Sequence, residues 1–382
     1  MSSSLAGKNT NRPKMANIEL LRCIAMMMVV VLHYLGKSSL LADLTGENMG
    51  SVGVAAWVLE SFCIVAVNVY MLISGYFLCE SSFKLSRLLK LLLQVFTYSV
   101  VIGVLVAALG LVPAEELTIY YYVQILFPVS MGHYWFLTAY VFLYLLLPFL
   151  TMAVKRMTKG QMQLALGLLL FAFCVLKSIL PVRLDMDEKG YDCLWYICVF
   201  MVAAYIRKFG VPFLRKKGRG ITLYLLNVVL IFAGTFAMRF IYLRTGSLGL
   251  LLSVCMEYNH VLVLLASIGL FTAFLRVRAS DKISGVICKI APHTLGVYLL
   301  HENLGVRYAW QKWLGAEQVS NVGMLLLFTL LAVLVVFAVG IFVEYLRTML
   351  MKGLHKVFTH LGVYRVLMDK LAIADGLFAE KG

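Results

Sequence analysis

The sequence predicts an all-α protein, a polytopic transmembrane helical bundle of about ten spans with both termini cytoplasmic. Three observations predict it. Of the residues 62% are hydrophobic and 14% charged, and the mean hydropathy is +0.90, whereas a soluble domain carries about 25% charged and roughly 45–50% apolar residues. The apolar excess is gathered into repeated runs of about 20 residues, the length an α-helix needs to cross a bilayer. Finally, most lysines and arginines fall in alternate short connections, the pattern of cytoplasmic loops.

The ten spans are expected near residues 18–36, 53–78, 89–112, 133–150, 162–181, 191–208, 221–243, 258–277, 286–305 and 322–346. With the N-terminus inside, the inner segments hold Lys8, Arg12, Lys14 and Arg22, then Lys84, Arg87 and Lys90, then Lys155, Arg156 and Lys159. They continue with the cluster from Arg207 to Arg219, with Arg276, Arg278, Lys282 and Lys289, and with the tail from Arg347 to Lys381. All but eight of the 34 basic residues thus lie on one side. The implied organisation is a cytoplasmic N-terminal tail (1–17), a membrane domain (18–346) and a basic cytoplasmic C-terminal tail (347–382).

A net charge of +15 raises the question of nucleic acid, but the basic residues sit in short inner loops and form no aromatic-laced patch. Anionic lipid headgroups are the expected neighbours. The eight cysteines lie mostly within spans and contain no CxxC pair, so they read as small core hydrophobes, and no metal is expected. The first dozen residues are polar and no small-residue cleavage site follows the first apolar run, which predicts no cleaved signal peptide.

Ionisable groups at membrane depth are costly and mark cavities or partners. The polar and ionisable residues there are Arg22 and His33 in the first span, Glu60 with Asn68 in the second, Lys177, Arg239, and His301 with Glu302 near the outer end of the ninth. Arg22 and His33 open and nearly close the apolar stretch of ELLRCIAMMMVVVLHY, residues 19–34. Eleven residues of helix turn about 1100° and rise about 16 Å, so both side chains share one face, half a membrane apart. Lys177 and Arg239 read as interface anchors, His133 as an interface residue, and His260, His293, His355 and His360 carry no functional argument.

Four stretches in order resemble acyltransferase family 3, polytopic membrane acyltransferases that modify cell-surface glycans. The Arg-x10-His of Arg22 and His33 is similar to that family's first-span signature. NVYMLISGYFL (68–78), HYWFLTAYVFLYLLLPFL (133–150) and TLGVYLLHENLGVR (294–307) resemble its later segments. Tyr76 stands where relatives carry Phe, and Lys90 where an Arg is common. The latter offers a point charge where Arg offers a planar fork.

The resemblance implies an O-acyltransferase in a bacterial plasma membrane, moving an acyl group, most often acetyl, from cytosolic acyl-CoA to a hydroxyl of a surface glycan, an exopolysaccharide or a lipid-linked precursor. It implies donor contacts from Arg22, Ser74, Gly75, Arg87 and Lys90, with the cations on the phosphates and the pantetheine arm running along the first span. His33, set among Met, Val and Leu, is then a neutral ring able to act as a general base or as a nucleophile. Arg22, His301 and Glu302 complete the catalytic candidates, and Glu60, Trp135 and Arg307 are candidates for the acceptor. The rival reading is a secondary transporter or flippase that uses Arg22, His33 and Glu60 as a substrate or proton path. Such proteins tend to show internal repeats and paired broken helices, and the sequence has no second Arg-x10-His.

Overall fold

The computed structural model describes residues 15–180 and 188–378. Lys8, Arg12 and Lys14 of the N-terminal tail, the last residue of the fifth expected span and Lys381 lie outside them. The described residues are helical and contain no strand. Among the described residues, nine helices are long and apolar enough to cross a membrane: α1 (Ala16–Gly36), α2 (Ser51–Leu78), α3 (Leu85–Ala108), α4 (Trp135–Arg156), α5 (Lys159–Ile179), α7 (Arg219–Thr245), α8 (Gly249–Phe274), α9 (Asp281–His301) and α10 (Val322–Phe358). Between α5 and α7 stands α6 (Cys193–Phe209), 17 residues long and apolar, where the sixth span was expected. A final helix, α11 (Gly362–Leu377), follows a short turn.

Burial sorts these helices into an inner and an outer set. Of the apolar windows in α2 and α8, 61% is buried inside the protein, against 17% in α5. α1 lies among α2, α9 and α10, so its polar residues face protein, where ionisable groups at membrane depth find partners. The helices approach closely where side chains vanish. A Cβ on Gly220 of α7 would stand 2.8 Å from the Gly269 carbonyl of α8, and one on Gly269 2.8 Å from the Gly220 carbonyl. Such reciprocal small-residue contacts let apolar helices associate by packing alone.

Several helices depart from regularity near the site. α2 breaks at Ile64 and Val65 into Ser51–Cys63 and Ala66–Leu78. α3 widens into a π-turn over Tyr98–Ile102, a feature common at functional positions. α9 tightens at Ala291–His293, where Pro292 has no N–H to give the ladder. α10 runs 37 residues, roughly 55 Å, beyond the end of the expected span at residue 346. The sequence after Leu346 mixes Lys and His with Leu and Met, and helical propensity continues where the uninterrupted apolar run does not.

Candidate functional site

α1 carries the organising stripe. Arg22 stands near its first turn, His33 near its last, and Lys37 follows at its C-cap. Four residues are one turn, so Lys37 stands directly beyond His33 on the same face. His33 Nδ1 lies 2.9 Å from His301 Nε2 and 3.2 Å from Glu302 Oε1. His301 Nδ1 is 2.6 Å from the Val297 carbonyl. A carbonyl only accepts, so His301 carries its proton on Nδ1 and Nε2 is its lone pair. His33 must then place its proton on Nδ1, where both His301 Nε2 and Glu302 Oε1 accept it. The Nε2 lone pair of His33 remains for chemistry.

Glu302 is held from several directions. Lys37 Nζ donates to its Oε1 and Arg307 Nη2 to its Oε2 at 3.1 Å. Its own carbonyl lies 3.2 Å from His133 Nε2, and its neighbour Asn303 donates to the Tyr98 carbonyl at 3.2 Å, within the π-turn of α3. The Glu302 side chain is 2% exposed; a carboxylate so buried persists only with such partners. Gln311 ties the group together by donating to the carbonyls of His33 at 3.2 Å and Arg307 at 2.9 Å. The spacing of His33, His301 and Glu302 would also suit a metal ion. Two cations already on the carboxylate and a histidine pair at hydrogen-bond distance favour the proton network instead.

Two cavities lead to this network. One, of about 40 Å³, is lined by His33, Met26, Val29, Tyr70, Trp135, Phe136, Tyr258, Leu295 and Tyr298. The second, of about 250 Å³, is lined by Arg22, Ser74, Arg87, Gln94, Tyr140, Tyr144 and Thr294 among others. Tyr70, Phe136 and Leu295 line both, so the cavities meet across these three side chains. Together the two cavities flank α1 from Arg22 to His33, about 16 Å of helix, with those three side chains between them.

The expected site residues therefore separate into groups. Arg22, Ser74 and Arg87 share the larger cavity; His33 and Trp135 share the smaller; His301, Glu302 and Arg307 form the network behind His33. Gly75 turns away. A Cβ there would stand 2.9 Å from Ala203 Cβ and 3.1 Å from Phe200 Cα of α6, so this glycine is where α2 and α6 touch. Lys90 is exposed and absent from the lining of either cavity, because three residues of helix rotate it about 60° from Arg87. Glu60 lines neither cavity, and its Oε2 is buried with no hydrogen-bond partner among the described residues. It lies within electrostatic reach of Tyr191 and Tyr258, which pack on Trp135 at ring separations of 4.2 and 5.8 Å.

Other expectations change. Lys177 is no interface anchor: it pairs with buried Glu257 at 2.7 Å. Arg239 holds the loop after α1 through the Gly46 and Glu47 carbonyls. His133 is 4% exposed and stacks on Tyr134 at 4.0 Å, inside the network. Lys37 and Gln311 were missed. The i, i+4 spacing from His33 was a legible signal for Lys37, and nothing local marked Gln311.

No curated protein and no solved structure matches the chain. Residues 15–344 match the family model described as an acyltransferase domain, a span that contains every helix from α1 to α9, most of α10 and the whole network around His33. The chain therefore belongs to acyltransferase family 3 and is a multi-pass membrane acyltransferase.

Proposed function

We propose that the protein is an O-acyltransferase that takes an acyl group from cytosolic acyl-CoA and gives it to a hydroxyl of a surface glycan, an exopolysaccharide or its lipid-linked precursor, in a bacterial plasma membrane. The observation that carries this reading is the pair of adjoining cavities beside α1, with guanidinium groups at one end and a histidine of fixed tautomer at the other. Arg22 and Arg87 offer planar forks to the donor phosphates. With the basic loops and both termini cytoplasmic, that end opens to the cytosol, and the pantetheine arm spans the rest. About 40 Å³ beside His33 holds a few water-sized groups, which favours acetyl over a long acyl chain.

At the far end the acceptor hydroxyl gives its proton to His33 Nε2 while its oxygen attacks the thioester carbonyl. The carbon–sulfur bond then breaks, and the departing thiolate takes the proton from His33. The products are an ester and free coenzyme A. Glu302 holds the Nδ1 proton and stabilises the imidazolium between the two transfers. Trp135 offers the acceptor a flat apolar face.

The test is donor binding by the full-length protein in detergent, measured by calorimetry with acetyl-coenzyme A. Replacing Arg22 or Arg87 by alanine should weaken binding about tenfold each, the scale of one charge-assisted contact. Parental affinity in both variants would refute the donor assignment.

A further inference from the structure

Lys37 and His33 compete for one oxygen. Lys37 Nζ donates to Glu302 Oε1, the same atom that lies 3.2 Å from His33 Nδ1, while Arg307 takes Oε2 at 3.1 Å. Lys37 is itself placed by the last turn of α1 and by Tyr308, whose ring centroid is 5.2 Å from Nζ; Arg307 stands 5.4 Å from that same ring. Glu302 sits at the C-cap of the last α9 segment, where the helix no longer fixes its side chain. Two cations from different elements, one on each oxygen, define the plane of its carboxylate.

We propose that Lys37 is a positioning residue. By holding Oε1 while Arg307 holds Oε2, it keeps the carboxylate facing His33 Nδ1 and, together with the His301 lone pair, secures the tautomer that leaves Nε2 free. The charge count also matters. One carboxylate facing two cations has little tendency to draw the Nδ1 proton to itself, so the proton stays on the ring. This inference rests on His33 acting as the base.

Nuclear magnetic resonance of the full-length protein, labelled with ¹⁵N-histidine and reconstituted in liposomes, reads the tautomer without any substrate. The His33 signals are assigned by their loss in His33→Gln. The parent should show His33 protonated at Nδ1 and bare at Nε2. Lys37→Met should give a mixture of both tautomers, and Lys37→Arg should restore the parental spectrum. Lys37→Gln, which keeps an N–H donor without the charge, reads the same question should the methionine variant not fold. In a Glu302→Gln background the loss of Lys37 should change nothing further, since it acts through that carboxylate.

A parental spectrum in both Lys37→Met and Lys37→Gln would overturn the proposal, as would an additional change in the Glu302→Gln background. A His33→Ala protein that still transferred acyl groups would sink the base assignment instead, and leave the tautomer result standing.

Discussion

Replacing Glu302 by glutamine tests the network with almost no change of shape. The carboxylate accepts from Lys37, Arg307 and His33, and the amide keeps the volume while losing the charge. One end of that amide is an N–H donor. Lys37 on Oε1 and Arg307 on Oε2 can only donate, so the amide gives its oxygen to one and its N–H to the other; with the oxygen on Arg307, the N–H stands at the Oε1 position, facing Lys37 and His33. There it opposes the Nδ1 proton that His301 Nε2 still accepts, and the ring shifts toward the tautomer that protonates Nε2, the atom that has to be bare.

The same inversion of tautomer in a serine-protease triad costs about 10⁴ in turnover. We expect a loss of about 10³- to 10⁴-fold here, roughly 4–5 kcal/mol of barrier. Stability should fall less. Breaking a buried pair costs about 3–5 kcal/mol, but the Lys37 and Arg307 side chains are 15% and 19% exposed and recover part of their hydration, leaving about 1–3 kcal/mol. The assay is mass spectrometry of the surface glycan from cells carrying either form, normalised to the protein in the membrane fraction, with acetyl-coenzyme A binding measured in parallel. Donor binding should be unchanged, since Arg22 lies three helical turns away. Acylation within tenfold of the parent at equal protein level would show that transfer does not depend on the Glu302 carboxylate.

Three further outcomes follow from the packing and the cavities. Gly75→Leu should lower the melting temperature in detergent and cost about 3 kcal/mol, because its Cβ would meet the α6 backbone near Phe200; an unchanged melting temperature would count against that contact. Leu295→Trp should fill the junction that the two cavities share, leaving acetyl-coenzyme A bound with near-parental affinity while transfer drops at least tenfold. Transfer within tenfold of the parent would show that the donor does not reach His33 through that junction. After replacement of the native cysteines, Tyr308→Cys, at a site 70% exposed, should react with an impermeant maleimide outside intact cells, and Arg87→Cys should react only once the cells are broken. The reverse pattern would invert the topology.

The spans were legible because each depends on one local property, an apolar run long enough to cross a bilayer. Their irregularities were not. The break in α2 at Ile64 and the π-turn at Tyr98 occur inside spans of high mean hydropathy, and hydropathy carries no information about hydrogen-bond register. The site shows the same division. Arg22 and His33 stood out because charge and imidazole are conspicuous in an apolar helix, and helical geometry put them on one face. Glu302 and Arg307 were legible as parts of a resemblance, but that they share one carboxylate with Lys37 is a tertiary fact, set by residues 265 positions apart. Lys177 misled for that reason too, since its partner Glu257 arrives from a distant helix. Gly75 belongs to a recognisable motif, yet its immediate duty is to let α6 approach.

In the proposed reaction His33 is the base at which the acyl group changes hands. The most direct test is the acylation of the surface glycan, read by mass spectrometry, in cells whose only copy of the protein carries His33→Ala. The ring is removed from the smaller cavity while the arginine cavity is left whole. Protein in the membrane at parental abundance, acetyl-coenzyme A bound with parental affinity and glycan acylation reduced to background is the expected result. Acylation persisting at the parental level would rule His33 out as the base.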